Sequence, residues 1–181
     1  ALNHVFGRSA LERMWMLDSD NDGWANGTGF RVSAENPYCN QDALHSYSVG
    51  TDLNHYGTGI TSAYVNKTIK HWIQEYKIDG FRWDLTKGFT NECTNPATRE
   101  TCTNEYRGDR VQKLKDYAKT QWTYDPNFLI IFEHLGTSNG SGNEEVEWAN
   151  YTPPSPFPTQ TAEQKGIMQW RKLTDQYANL V

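Results

Sequence analysis

Apolar residues recur along the chain with two different periods, and the alternation between them predicts its elements. Val65, Ile69, Trp72, Ile73 and Tyr76 fall on one stripe at helical spacing, which predicts a helix over about 61–76. Val111, Leu114 and Ala118 mark the inner side of a second helix over about 107–122. A last helix is expected to begin near Thr161-Ala162-Glu163-Gln164, with Ile167, Trp170, Leu173, Tyr177 and Leu180 inward. Between these, residues 77–84 and 128–133 alternate with a period of two and read as strands, the second entered through the Asp125-Pro126-Asn127 turn. Residues 5–60 show little regular pattern, and Pro153, Pro154, Pro156 and Pro158 mark a polar loop before the last helix.

The order is long loop, helix, strand, helix, strand, loop, helix, with the tail of a further strand expected at Ala1 to Asn3. Such alternation belongs to α/β proteins with parallel strands and helical crossovers. A closed (β/α)8 barrel needs eight strands and typically ~250 residues. A chain of 181 residues therefore reads as a partial (β/α)8 TIM barrel, cut at both ends, with 5–60 as a long insertion within it. The chain lacks an initiator Met and a signal-like start, so it is read as beginning inside a longer protein.

The polar residues on the two strands carry the chemistry. In Lys77-Ile78-Asp79-Gly80-Phe81-Arg82-Trp83-Asp84, Gly80, Arg82 and Asp84 share one face and Phe81 and Trp83 the other. In the second strand Leu129, Ile131 and Glu133 share a face. Both strands thus end in a carboxylate, where α/β barrels carry catalytic side chains. Arg82 is placed to keep Asp84 ionised, as a nucleophile requires, and Phe132 with the Ile130-Ile131 run would desolvate Glu133, as acid duty requires. Retaining glycosidases use two such carboxylates about 5–5.5 Å apart. The alternative is that both merely cap or solvate loops.

Composition narrows the partners. The chain holds seven Trp, ten Tyr and seven Phe, yet its mean hydropathy is −0.80, which suits loops that handle a polar, flat-faced ligand such as a sugar. Trp15, Trp24, Phe30, Tyr38, Tyr47 and Tyr56 lie on the long loop, where some are expected to stack on sugar faces and the rest to pack the loop. A net charge of −5 without a basic block argues against nucleic acid. No window approaches the roughly 20 apolar residues of a membrane span. Cys93 and Cys102 bracket a Thr/Asn/Pro-rich loop; they pair in an oxidising compartment, leaving Cys39 free, or stay reduced in a reducing one. A secreted or periplasmic location goes with the first reading. His45, His55 and His71 read as structural or solvent-facing.

Gly80-Phe81-Arg82-Trp83-Asp84-Leu85-Thr86-Lys87 resembles the nucleophile-bearing region of the alpha-amylase family of glycoside hydrolases, which usually reads G-F-R-hydrophobic-D-x-x-K. Leu2-Asn3-His4 is similar to the end of that family's first region, Phe132-Glu133-His134 to its general-acid region, and Thr51-Asp52-Leu53-Asn54 to its P-D-L-N element. These stretches occur in the family's order, and 5–60 occupies the place of its inserted domain B. The resemblance implies a retaining hydrolase of alpha-1,4-glucans, working through a covalent glycosyl-enzyme intermediate. It makes Asp84 the nucleophile, Glu133 the acid/base and Arg82 the orienting cation. His4, Lys87 and His134 would meet substrate, and Asn3 and Asp52 match positions that bind structural calcium in many members. Gly88 stands where many members have His, and Thr51 where they have Pro. The family's third catalytic carboxylate would lie outside this chain, so the piece alone is expected to be inactive.

Asp18-Ser19-Asp20-Asn21-Asp22-Gly23 is a separate candidate for calcium. Asp18, Asp20 and Asp22 supply oxygens at the first, third and fifth positions of an EF-hand-type loop, while Gly29 rather than Glu at the twelfth excludes a complete one. The alternative is a solvated acidic turn. Three other readings compete with hydrolysis: a transglycosylase or branching enzyme of the same chemistry, a non-catalytic glucan-binding barrel, and a metal-dependent barrel enzyme using Asn3, His4, Asp84 and Glu133.

Overall fold

A computed structural model describes His4–Val5 and residues 32–47, 51–134, 142–153 and 166–169. A helix of residues Ile60–Tyr76, α1, starts after Gly59 and ends at Lys77, where φ is +53°. Val65, Ile69 and Ile73 recur every fourth residue and are buried. Trp72 and Tyr76, expected on the same stripe, are instead 41 % and 60 % exposed, with their rings 4.6 Å apart on the flank of the helix. The stripe is narrower than the sequence suggested, because only one row of the helix meets the next layer.

That layer is α3, Gly108–Tyr124, preceded by the short α2, Arg99–Asn104. Asp109 in the first turn of α3 suits the helix dipole and also accepts hydrogen bonds from Thr90 Oγ1 and the Asn91 amide. Val111, Leu114 and Ala118 are inward as expected, and Arg110, Tyr117, Gln121 and Trp122 are buried with them. Cys93, ahead of α2, forms a disulfide with Cys102 within that helix, and Cys39 is buried outside this bond.

The strands are β3, Gly80–Trp83; β4, Leu129–Phe132; and β5, Met168–Gln169. They form one sheet in the order β3-β4-β5, and both pairings are parallel. Gly80 faces Leu129 in this register, and a Cβ there would come 2.8 Å from both Leu129 Cβ and its carbonyl oxygen, so the close strand pairing depends on glycine. Phe81 and Trp83 of β3, with Ile130 and Phe132 of β4, turn to the helices. Trp83 stacks on Tyr117 at 5.4 Å and donates to Gln121 Oε1 at 3.2 Å. Phe132 meets Trp148 edge-on at 5.1 Å. The opposite face carries Gly80, Arg82, Leu129, Ile131 and Glu133, and Leu129 is 52 % exposed there. A pair of crossovers, α2 with α3 and then the helix α4, Gly142–Ala149, joins the strands.

Two elements differ from expectation. The loop after β4 contains α4, whose acidic run hid a helix with only Trp148 as a large inward apolar residue. The last helix does not include Met168–Gln169, which pair with Ile131 and Phe132 as β5. Gly166 has φ +88° and sits so close to Ala149 that a Cβ would fall 2.1 Å from its carbonyl oxygen, a conformation that ends any helix there. The remaining residues of that expected helix lie outside the described residues.

Ahead of α1 in the chain, β1 (His4–Val5) pairs antiparallel with β2 (Thr51–Asp52), placing His4 opposite Asp52. Cys39 bridges to Leu53, and both pack with Val32 and Tyr38 in a small second core. The segment is therefore more regular than its polar sequence suggested. Of its aromatic residues within the described region, Tyr38 meets Tyr64, and the Tyr56 hydroxyl donates to the Phe89 carbonyl. Among the described residues, no helix is long and apolar enough to cross a membrane.

Candidate functional site

Arg82 is the last residue of β3 on the open face of the sheet, and Asp84 follows one residue past the strand end. Glu133 follows the end of β4, and the parallel register sets Trp83 beside Phe132. The two carboxylates therefore leave adjacent strands at the same level. The Arg82 guanidinium bonds to both of them, Nη1 to Asp84 Oδ1 and Nη2 to Glu133 Oε1. A forked guanidinium suits two acceptors held side by side. The Asp84 side chain is 26 % exposed and that of Glu133 only 9 %, so one is wetter than the other.

Burial pushes the Asp84 carboxyl up, but hydrogen bonds from the Glu133 side and from Arg82, with the arginine charge, outweigh it and hold Asp84 below the usual carboxylate range. Asp84 is thus ionised at neutral pH. Glu133 is fixed more rigidly. Its Oε2 accepts from the Leu85 amide at 3.0 Å, its amide donates to the Trp83 carbonyl at 2.9 Å, and its own carbonyl accepts from the Thr86 amide at 2.9 Å. The chain reaches these positions through Leu85, at φ +47°, and a 3-10 turn of residues Thr86–Gly88.

Neither a protein-family model nor a curated protein sequence matches this chain significantly.

The other expected site residues divide. Lys87 is 1 % exposed, and its Nζ donates to the Asn104 carbonyl at 3.2 Å. His134 is equally buried, with Nδ1 3.0 Å from Thr86 Oγ1 and Nε2 2.8 Å from Glu144 Oε2. Both side chains are enclosed among the described residues. Only the backbone of His4 is described, and Asn3, Asp18, Asp20 and Asp22 lie outside the described residues, as do Trp15, Trp24 and Phe30. His45 and His55 are buried and hydrogen-bonded, to Asp52 and to the Tyr117 hydroxyl. His71 lies exposed beside Trp72 and Tyr76.

Both carboxylate oxygens of Asp52, one of the expected calcium ligands, make hydrogen-bond-distance contacts within the protein. Its Oδ1 lies 3.1 Å from His45 Nε2, and its Oδ2 accepts from Asn40 Nδ2 at 2.7 Å and the Leu44 amide at 3.3 Å. Calcium takes about six to eight oxygen ligands. Among the described residues no group of three or more His, Cys, Asp and Glu is placed to hold a metal. The described part of the expected calcium set is occupied by hydrogen bonds of its own.

Sequence reasoning missed the layer beneath Glu133. Glu144, in the first turn of α4, is fully buried and accepts from Arg110 Nη2 at 2.7 Å and Nε at 3.2 Å, and from the Arg107 amide at 2.5 Å. Arg110 had left a signal: it lies in helical phase with Leu114, Tyr117 and Gln121, and a cation on a buried stripe requires a buried anion.

Burial pushes the His134 imidazole down to about 4, the Arg110 and Lys87 cations push the same way, and Glu144 opposes them. The folded protein therefore keeps His134 neutral while the unfolded chain protonates near the ordinary pKa of 6.5. His134 costs no stability above that value and progressively more as pH falls towards 4. The expected slope is about 1 kcal/mol per pH unit. Urea unfolding of the wild type and His134→Gln between pH 7 and 4.5 checks it: their stability difference should shift towards the variant as the solution becomes more acidic. A difference independent of pH would show that the imidazole is not held neutral.

Proposed function

We propose that this chain is part of a retaining glycoside hydrolase that cleaves alpha-1,4-glucans by way of a covalent glycosyl-enzyme, on a (β/α)8 barrel of which residues 60–169 supply an arc. What supports the reading above all is the pair of carboxylates at adjacent strand ends, bonded to one guanidinium and differing in environment. The resemblance of Gly80–Lys87 to the alpha-amylase family supports it independently of the geometry. The face that bears Arg82, Leu129, Ile131 and Glu133, with Leu129 exposed on it, is the side on which a closed barrel would converge.

In this mechanism the ionised Asp84 attacks the anomeric carbon as the C–O bond to the leaving sugar breaks, and Glu133 delivers its proton to the departing oxygen. Glu133, now a carboxylate, removes a proton from water as that water attacks the same carbon, and Asp84 leaves as the free carboxylate. Arg82 keeps Asp84 charged and holds the two groups in register. Leu85 N–H holds Glu133 from the other side.

The test is stereochemical. The full-length protein acting on an alpha-1,4-linked oligosaccharide should release the alpha anomer first, seen by proton NMR before mutarotation. Initial release of the beta anomer would refute the double displacement, and no hydrolysis of any alpha-glucan would refute the substrate class.

A further inference from the structure

A buried carboxylate is expensive, and a well-packed apolar replacement often serves stability as well or better. Glu144 is nonetheless fully buried, together with Arg110 and His134, directly behind the segment that carries Glu133. We propose that Glu144 is a positioning residue for Glu133: from the first turn of α4 it fixes His134 and Arg110, and through them the end of β4 and the Thr86–Gly88 turn that together aim the Glu133 carboxyl beside Asp84. The proposal rests on the functional reading above.

The connections are short and continuous. Glu144 Oε2 meets His134 Nε2 at 2.8 Å, and His134 Nδ1 meets Thr86 Oγ1 at 3.0 Å. The Thr86 hydroxyl itself donates to the Glu133 carbonyl at 3.0 Å, so the group that meets His134 also grips the end of β4. Thr86 in turn donates its amide to the Glu133 carbonyl, and the amide before it, of Leu85, holds Glu133 Oε2. On the other branch, Glu144 orients Arg110, whose Nη1 donates to the Lys87 carbonyl at 2.8 Å. The turn is thus gripped at Thr86 and at Lys87. It needs that grip, because Leu85 holds a left-handed backbone conformation that costs a non-glycine residue about 1 kcal/mol and persists only where the surroundings impose it.

The experiment compares substrates that differ in their need for a proton. Glu144→Gln, His134→Gln and Glu133→Gln are made in the full-length protein and assayed on an alpha-1,4-linked oligosaccharide and on alpha-glucosyl fluoride, whose leaving group departs without acid assistance. A displaced acid should cost Glu144→Gln about 10²-fold in kcat on the oligosaccharide and only a few-fold on the fluoride, with KM nearly unchanged. Equal loss on both substrates, or an unchanged kcat on the oligosaccharide, would overturn the proposal. Should Glu144→Gln fail to fold, His134→Gln decides, since it keeps the Arg110–Glu144 pair: selective loss on the oligosaccharide supports the proposal, and uniform or absent loss overturns it. Glu133→Gln separates the two levels of the argument. If it shows the leaving-group selectivity and the other variants do not, only the positioning role falls; if it shows none, the acid assignment itself fails and the positioning role falls with it.

Discussion

Asp84→Asn should lower kcat on an alpha-1,4-glucan by about 10⁴-fold or more in the full-length protein, the scale of losing a residue that acts as part of a covalent unit. The substitution preserves shape and removes only charge. Asp84 is held below the ordinary carboxylate range by its bonds to Glu133 and Arg82, against the effect of burial. An amide in its place cannot attack an anomeric carbon. Glucan binding should survive, because the carbonyl oxygen of the amide still accepts from Arg82 Nη1. Folding should survive as well, since a partly solvated ion pair is worth roughly 1 kcal/mol or less. Turnover measured against binding of the same oligosaccharide checks the separation. Activity near that of the wild type would remove Asp84 from the mechanism, whatever its position beside Glu133.

Part of this arrangement was legible in the chain because it obeys local rules. The period-two pattern of Phe81, Arg82, Trp83 and Asp84 survives in β3, with Trp83 buried on one side and Arg82 exposed on the other. The Val65, Ile69 and Ile73 stripe and the Val111, Leu114 and Ala118 stripe hold for the same reason: a helix that packs on a sheet must put its apolar row inward. The sequence was less informative where tertiary partners decide. Ile167 and the residues after it fit a helical period, yet pairing with β4 and the backbone of Gly166 make a strand of Met168–Gln169. Helix α4 was hidden because Glu144 is buried by its charge partners, Arg110 and His134, rather than by hydrophobicity. No pattern of apolar residues records such a contact. Nor did the sequence pattern record that Lys87 and His134 are enclosed with Arg110 and Glu144.

Arg110→Ala should be the most destabilising single substitution in this region, by about 3–5 kcal/mol, the range for leaving one member of a buried ion pair without its partner. The reason lies in how many groups the guanidinium serves. Besides Glu144, it donates to the carbonyls of Lys87, Thr103 and Glu105, at 2.8, 3.0 and 2.9 Å. Thr103 and Glu105 lie at the C-terminal end of α2, where helix carbonyls lack partners within the helix and a cation opposes the dipole. Lys87 does the same for Asn104. Truncating Arg110 thus strands a carboxylate and several carbonyls together in a dry interior. The double variant Arg110→Ala/Glu144→Ala separates the two losses, because it removes the stranded charge but not the stranded carbonyls. It should be less destabilised than the sum of the single variants, by a coupling of roughly 1–3 kcal/mol. Urea unfolding of the four proteins at pH 7 measures this directly. Strict additivity would show that the pair carries no mutual stabilisation.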